Sequence, residues 1–164
     1  MKKFFILILA GFIIIDIGTA CFEKAAQPTV VHITVVNGNP AATGSAMVNL
    51  YRNMTDVANN FPLYTQSTND NNSVDITVDY ISQYYVVVTK GAAKNYYSGY
   101  IPVGIFQSQM DINNSPTQTP AGTIGGVKFK DINGDGAINN SDKTDAPVIG
   151  ITKSAENDQN ITVY

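Results

Sequence analysis

Cysteine is nearly missing from this chain: 164 residues contain one, at position 21. No intramolecular disulfide can form, whereas an exported domain stapled by bridges carries cysteines in even number. Tryptophan is absent, and histidine occurs once, as His32. General-base chemistry needs an acid or nucleophile set against the imidazole, so a lone His32 inside an apolar alternation reads as an ordinary strand residue. Charge is also scarce. Charged residues make up 14% of the chain, with 10 basic against 13 acidic and a net charge of -3. No basic patch is available for phosphate contacts, which excludes a nucleic-acid partner. Leu is sparse, with Leu7 and Leu9 near the N-terminus and then only Leu50 and Leu63, and no amphipathic helix of useful length is visible. The chain as a whole is 44% hydrophobic, and its apolar runs are dominated by Val, Ile and Tyr, with Thr beside them, which favours strands. The length suits one domain with a real core.

The N-terminus stands apart. Lys2 and Lys3 precede an apolar run from Phe4 to Ile15, and Gly18, Thr19 and Ala20 lead directly to Cys21. This pattern reads as an export signal over residues 1–20, too short and one-sided for a comfortable membrane span. It resembles a bacterial lipoprotein signal, in which small residues precede a cysteine that is lipidated and becomes the new N-terminus. Gly18 stands where that family prefers Leu, and Asp16 lies where charge is usually excluded. The resemblance implies a lipidated Cys21, a tether over 21–28, and attachment to the outer membrane or cell surface through the lipid. Ordinary cleavage after Ala20, giving a periplasmic or secreted soluble protein, is an alternative, as is an uncleaved anchor.

From Thr29 the apolar residues alternate. Val31, Ile33 and Val35 share one face and His32, Thr34 and Val36 the other, the period of a strand. Asn37, Gly38, Asn39 and Pro40 supply a turn. Further strands are expected at 46–51, 62–66, 73–80 and 84–89, then at 97–103 and 105–112. Residues 52–60 would form one helical turn or a loop. The spacing predicts an all-β sandwich over 29–112, a linker over 113–122, and a segment over 123–164 that ends in a strand at 161–164. The stretches "VHITVVNGNPAATGSAMVNLYRN", "TQSTNDNNSVDITV" and "QYYVVVTKG" are similar to carboxypeptidase-regulatory-like, or transthyretin-like, β-sandwich domains. The chain departs from them at Asn72, where those domains usually have Gly. The resemblance implies an immunoglobulin-like sandwich serving as a non-catalytic module that supports, binds or spaces.

One stretch carries chemistry. In "DINGDGAINNSD", starting at Asp131, oxygen-bearing side chains fall at positions one, three and five as Asp131, Asn133 and Asp135. Gly136 is sixth, Ala137 seventh, Ile138 eighth, Asn139 ninth and Asp142 twelfth, the order of an EF-hand calcium loop closed by Asp instead of Glu. Calcium takes six to eight hard oxygens, and short side chains at alternate positions converge on one point. Ala137 offers its backbone carbonyl, and Asn139 reaches the ion directly or through water. Zinc and copper are disfavoured here because no His or Cys is near. The expected ligand is therefore Ca2+, held by Asp131, Asn133, Asp135, Ala137, Asn139 and Asp142. Val127 to Lys130 reads as an entering strand, and about one helical turn is expected over 143–146 before Pro147 ends it. No second loop and no flanking helix pair exist to make a switch, so calcium reads as structural.

The loop resembles half of a dockerin repeat, without the duplication or the Leu-rich helix. "GGVKFKDINGDGAINNSDKTDAPVIG" resembles more closely a segment of TonB-dependent outer-membrane receptors, which hints at a surface setting. The expected role is a calcium-binding surface lipoprotein acting as a non-catalytic binding or accessory module, with a glycan or an outer-membrane protein as partner. A structural or adhesion scaffold without a small-molecule ligand is the alternative, and a hydrolase with an unrecognised site a weaker one.

Overall fold

The computed structural model describes residues 26–164. The expected signal over 1–20 and Cys21 lie outside the described residues. Strands β1 (Thr29–Asn37) and β2 (Met47–Tyr51) lead through helix α1 (Met54–Ala58) to β3 (Tyr64–Ser67), β4 (Ser73–Val78), β5 (Gln83–Lys90) and β6 (Ala93–Lys94). Then come β7 (Pro102–Ile105), helix α2 (Gln109–Asn113), β8 (Thr117–Gln118), β9 (Val127–Phe129) and β10 (Ala137–Ile138). The chain ends with β11 (Val148–Gly150) and β12 (Glu156–Val163). The protein is predominantly β.

Two sheets carry the core. One has the order β12-β1-β4, with β1 parallel to β12 and antiparallel to β4. The other runs β11-β5-β2-β3, with β6 also on β5. The alternation decides which faces meet. Val31, Ile33 and Val35 of β1 join Val74, Ile76 and Val78 of β4, Val48 and Leu50 of β2, and Val86 and Val88 of β5 in one buried cluster. Each such side chain contributes about 1.5–3 kcal/mol when fully withdrawn from water. His32 and Thr34 face outward, as the period-two reading requires.

Three elements differ from the sequence reading. The two strands expected at 97–103 and 105–112 are replaced by one short strand, Pro102–Ile105, lying across the expected break, and Gln109–Asn113 is helical. The reason is capping: the Ser108 side chain accepts from Asp111 N–H, a better local arrangement than a polar strand. The helical turn expected over 143–146 lies earlier, as a 3-10 turn at Asn140–Asp142, and Lys143 is already extended. Finally, the last strand begins at Glu156, well before 161. Strands β11 and β12 each join one of the two main sheets, so both the 29–112 and 123–164 spans build them. Residues 113–122, read as a linker, contain β8, which pairs with β10.

Candidate metal centre

The loop at 131–142 is fastened at both ends. On entry, β9 pairs with β7, and Lys130 N–H donates to Ile101 C=O at 2.9 Å. On exit, Thr144 N–H donates to Gly99 C=O at 2.8 Å, and Tyr96 Oη donates to Thr144 C=O at 3.0 Å. Ala146 N–H reaches Met54 Sδ at 3.2 Å, and β11 then joins β5. In the middle, Ala137 and Ile138 form β10 beside Thr117 and Gln118, and Ile138 is buried. Ile138 thus anchors the eighth position.

Within that frame the polar side chains curl the backbone around themselves. Asp131 accepts from Gly134 N–H at 2.8 Å through Oδ1 and from Gly136 N–H at 2.9 Å through Oδ2. Both glycines have positive φ, 72° and 82°, a region where a Cβ brings strain. Asn133 Oδ1 accepts from Asp135 N–H at 3.1 Å, and Asp135 Oδ1 accepts from Ala137 N–H at 2.8 Å. Asn139 caps the 3-10 turn, accepting from Ser141 N–H at 2.9 Å. Asp142 closes the circle. Its Oδ2 accepts from Asn139 N–H at 2.8 Å, and its Oδ1 from Ile132 N–H at 2.9 Å, tying the twelfth position to the second.

Asp142 is fully buried, in contrast to the exposed Asn133, Asp135 and Asn139. The Asn139 N–H, together with those of Ile132 and Asn133, holds its carboxyl below the ordinary aspartate range, against the opposing effect of burial. It is thus a buried anion. The ion pairs within 4.0 Å among the described residues are His32–Asp75 and Lys128–Asp111, so neither it nor Asp131 nor Asp135 has a basic partner that close. Lys143, next to Asp142 in sequence, lies over the Tyr100 ring, 5.4 Å from its centroid. The donor set is all oxygen, anionic and uncompensated, which fits a hard divalent cation. The loop's three aspartates are not drawn into a single tight group. Among the described residues, the His/Asp/Glu group with ligand atoms all within 4.8 Å of one another lies on the sheets, at His32, Asp75 and Glu156.

Sequence reasoning found the loop but not its supports. Thr117 and Gln118 sit in a stretch read as linker, and the Ile132 N–H that holds Asp142 has no side-chain signature. The sequence carries two adjacent tyrosine pairs, Tyr84-Tyr85 and Tyr96-Tyr97, and in each the first ring is the more buried. Tyr84 and Tyr96 are buried, with burial pushing the Tyr84 phenol up to about 12, while Tyr85 and Tyr97 are half-buried. A groove of about 500 Å³ lies against α1, with Asn49, Tyr51, Asn60, Lys94 and Tyr96 among its lining residues. Among known proteins, no family profile, curated sequence or solved structure matches the chain.

Proposed function

We propose that this chain is a calcium-braced, exported, non-catalytic module of transthyretin-like type, held at the cell surface through a lipid on Cys21. The observation that carries the calcium reading is Asp142. A buried carboxylate kept ionised by backbone N–H groups, with Asp131 and Asp135 in the same loop and no basic partner within 4.0 Å among the described residues, leaves negative charge that a divalent cation would neutralise. Asp131, Asn133, Asp135, Asn139 and Asp142 would supply side-chain oxygens and Ala137 its carbonyl. Both ends of the loop are sewn to strands instead of helices, so the ion braces and does not switch. The groove beside α1 supports a binding role: its amide, phenol and ammonium groups suit a neutral polar ligand such as a glycan.

A scaffold reading has its own support. Strand β12 is an eight-residue edge of its sheet, and such an edge can accept a strand from a neighbour.

Thermal melting with millimolar calcium and with chelator tests the brace. At an affinity of about 10⁻⁴ to 10⁻³ M, millimolar calcium stabilises the fold by roughly 0.4 to 1.4 kcal/mol. The Asp131→Ala, Asp135→Ala double variant should melt alike under both conditions. Equal melting of the wild type with and without the ion would remove the reading.

A further inference from the structure

The outward face of the β12-β1-β4 sheet carries a second polar group, remote in sequence from the loop. His32 sits on the central strand. The pairing sets Asp75 opposite it on one side and Asp158 on the other, while Glu156 lies opposite Val30, two residues along the same face. The Nδ1 of His32 is 2.5 Å from Asp75 Oδ1, and Thr34 Oγ1 is 3.4 Å from its Nε2. One ligand atom from each of His32, Asp75 and Glu156 falls within 4.8 Å of the other two. Asp75 and Glu156 are exposed and His32 is half-buried, so an ion could reach all three from solvent without rearranging the core.

Strand pairing alone does not require this composition. Cross-strand partners of a histidine can be of any polar type, yet three carboxylates surround this one, and among the described residues neither Glu156 nor Asp158 has a Lys or Arg within 4.0 Å. Asp75 and Asp158 flank His32 on the two neighbouring strands, and Glu156 lies two residues along the same face. A cation delivered from solvent would neutralise the same carboxylates.

We propose that His32, Asp75 and Glu156 hold a divalent transition-metal ion of the zinc class. One imidazole nitrogen and two carboxylate oxygens form a mixed set that suits such an ion, whereas calcium prefers oxygen alone. Three protein ligands leave remaining positions to water. The ion would join one residue from each of three adjacent strands, clipping the last strand of the chain to β1 and β4. A clip between residues so far apart in sequence closes a long loop, where a tie removes the most freedom from the unfolded chain. This proposal does not rest on the calcium loop.

His32 is the only histidine, so its ring protons give one set of resonances that reports the site directly. The experiment is a zinc titration of the full chain in mild detergent, with excess calcium filling the loop and Cys21→Ser removing the competing thiol. The expected result is one equivalent of zinc bound and a shifted His32 ring. Affinity should fall by about tenfold or more in Asp75→Asn and in Glu156→Gln, which keep side-chain shape. The Asp131→Ala, Asp135→Ala variant should bind zinc as the wild type does. A His32 ring unmoved by excess zinc would overturn the proposal. Equal affinity in the Glu156→Gln variant would do the same, since it reduces the site to a histidine that binds zinc unaided.

Discussion

In the loop, Asp131 turns back on Gly134 and Gly136, and Asp142 reaches only as far as Asn139 and Ile132. On the sheet face, His32 meets Asp75 across 43 positions of sequence, and Glu156 comes from the last strand. Both regions gather carboxylates, but they are held by different forces. Side chains accepting from nearby N–H groups shape the loop. The sheet-face group has almost no local cause. Its residues adjoin because Val31, Ile33, Val74 and Ile76 are buried on the opposite side and fix the register. A local cluster is legible in sequence; a register-dependent one is not.

Breaking the core separates the two most strongly. Leu50→Ala removes a fully buried side chain between the sheets and should cost about 2–5 kcal/mol in chemical denaturation. The His32 ring signal should collapse to its unfolded position in the same transition, because the sheet face exists only while the strands are paired. A smaller effect is expected from Asp142→Asn. An amide presents one nitrogen where the carboxylate accepted, leaving the N–H of Ile132 or Asn139 unpartnered. The melting temperature should drop and the calcium response vanish, while the His32 signal in the folded state stays in place. Movement of that signal would show that loop and sheet face are coupled.

Asp111 and Lys128 form an intermediate case, and the smallest effect. Asp111 accepts locally from Gln107 N–H at 2.9 Å and, at longer range, from Lys128 Nζ at 3.1 Å. These contacts, the Gln107 N–H first, lower its pKa below 3.8. A depressed carboxyl contributes stability that is complete above its unfolded pKa and is lost as pH falls through the folded value. Melting between neutral pH and about pH 3 should therefore fall less steeply in Asp111→Asn than in the wild type. Parallel curves would assign the pair to solvated surface.

Much of the architecture was readable because burial and strand period coincide. Val31, Ile33 and Val35 alternate with His32 and Thr34 in sequence, and they are the buried positions of β1. In β5, Tyr84, Val86 and Val88 are buried while Tyr85, Val87 and Thr89 are half-covered, as an apolar run demands. Strand β12 was largely hidden. Its first half, Glu156 to Asn160, is polar because it lies at a sheet edge. Asn157 is nonetheless buried, its Nδ2 donating to the carbonyls of Val30, Thr152 and Ala155. Ser108 and Asp111 were legible as a cap in principle, but the flanking Ile105 and Ile112 suggested a strand.

The amino-acid order by itself determined the alternating core faces and the Asp/Asn/Gly spacing that curls residues 131–142. Both are short-range properties, fixed by the pleat of a strand and by side chains reaching nearby N–H groups. Tertiary structure alone decided that the polar tail pairs in parallel with β1, that Thr117 and Gln118 support the loop, and that His32, Asp75 and Glu156 meet. Such neighbours arise from how distant strands align to cover a shared apolar interior, and that alignment is a property of the packed sheets.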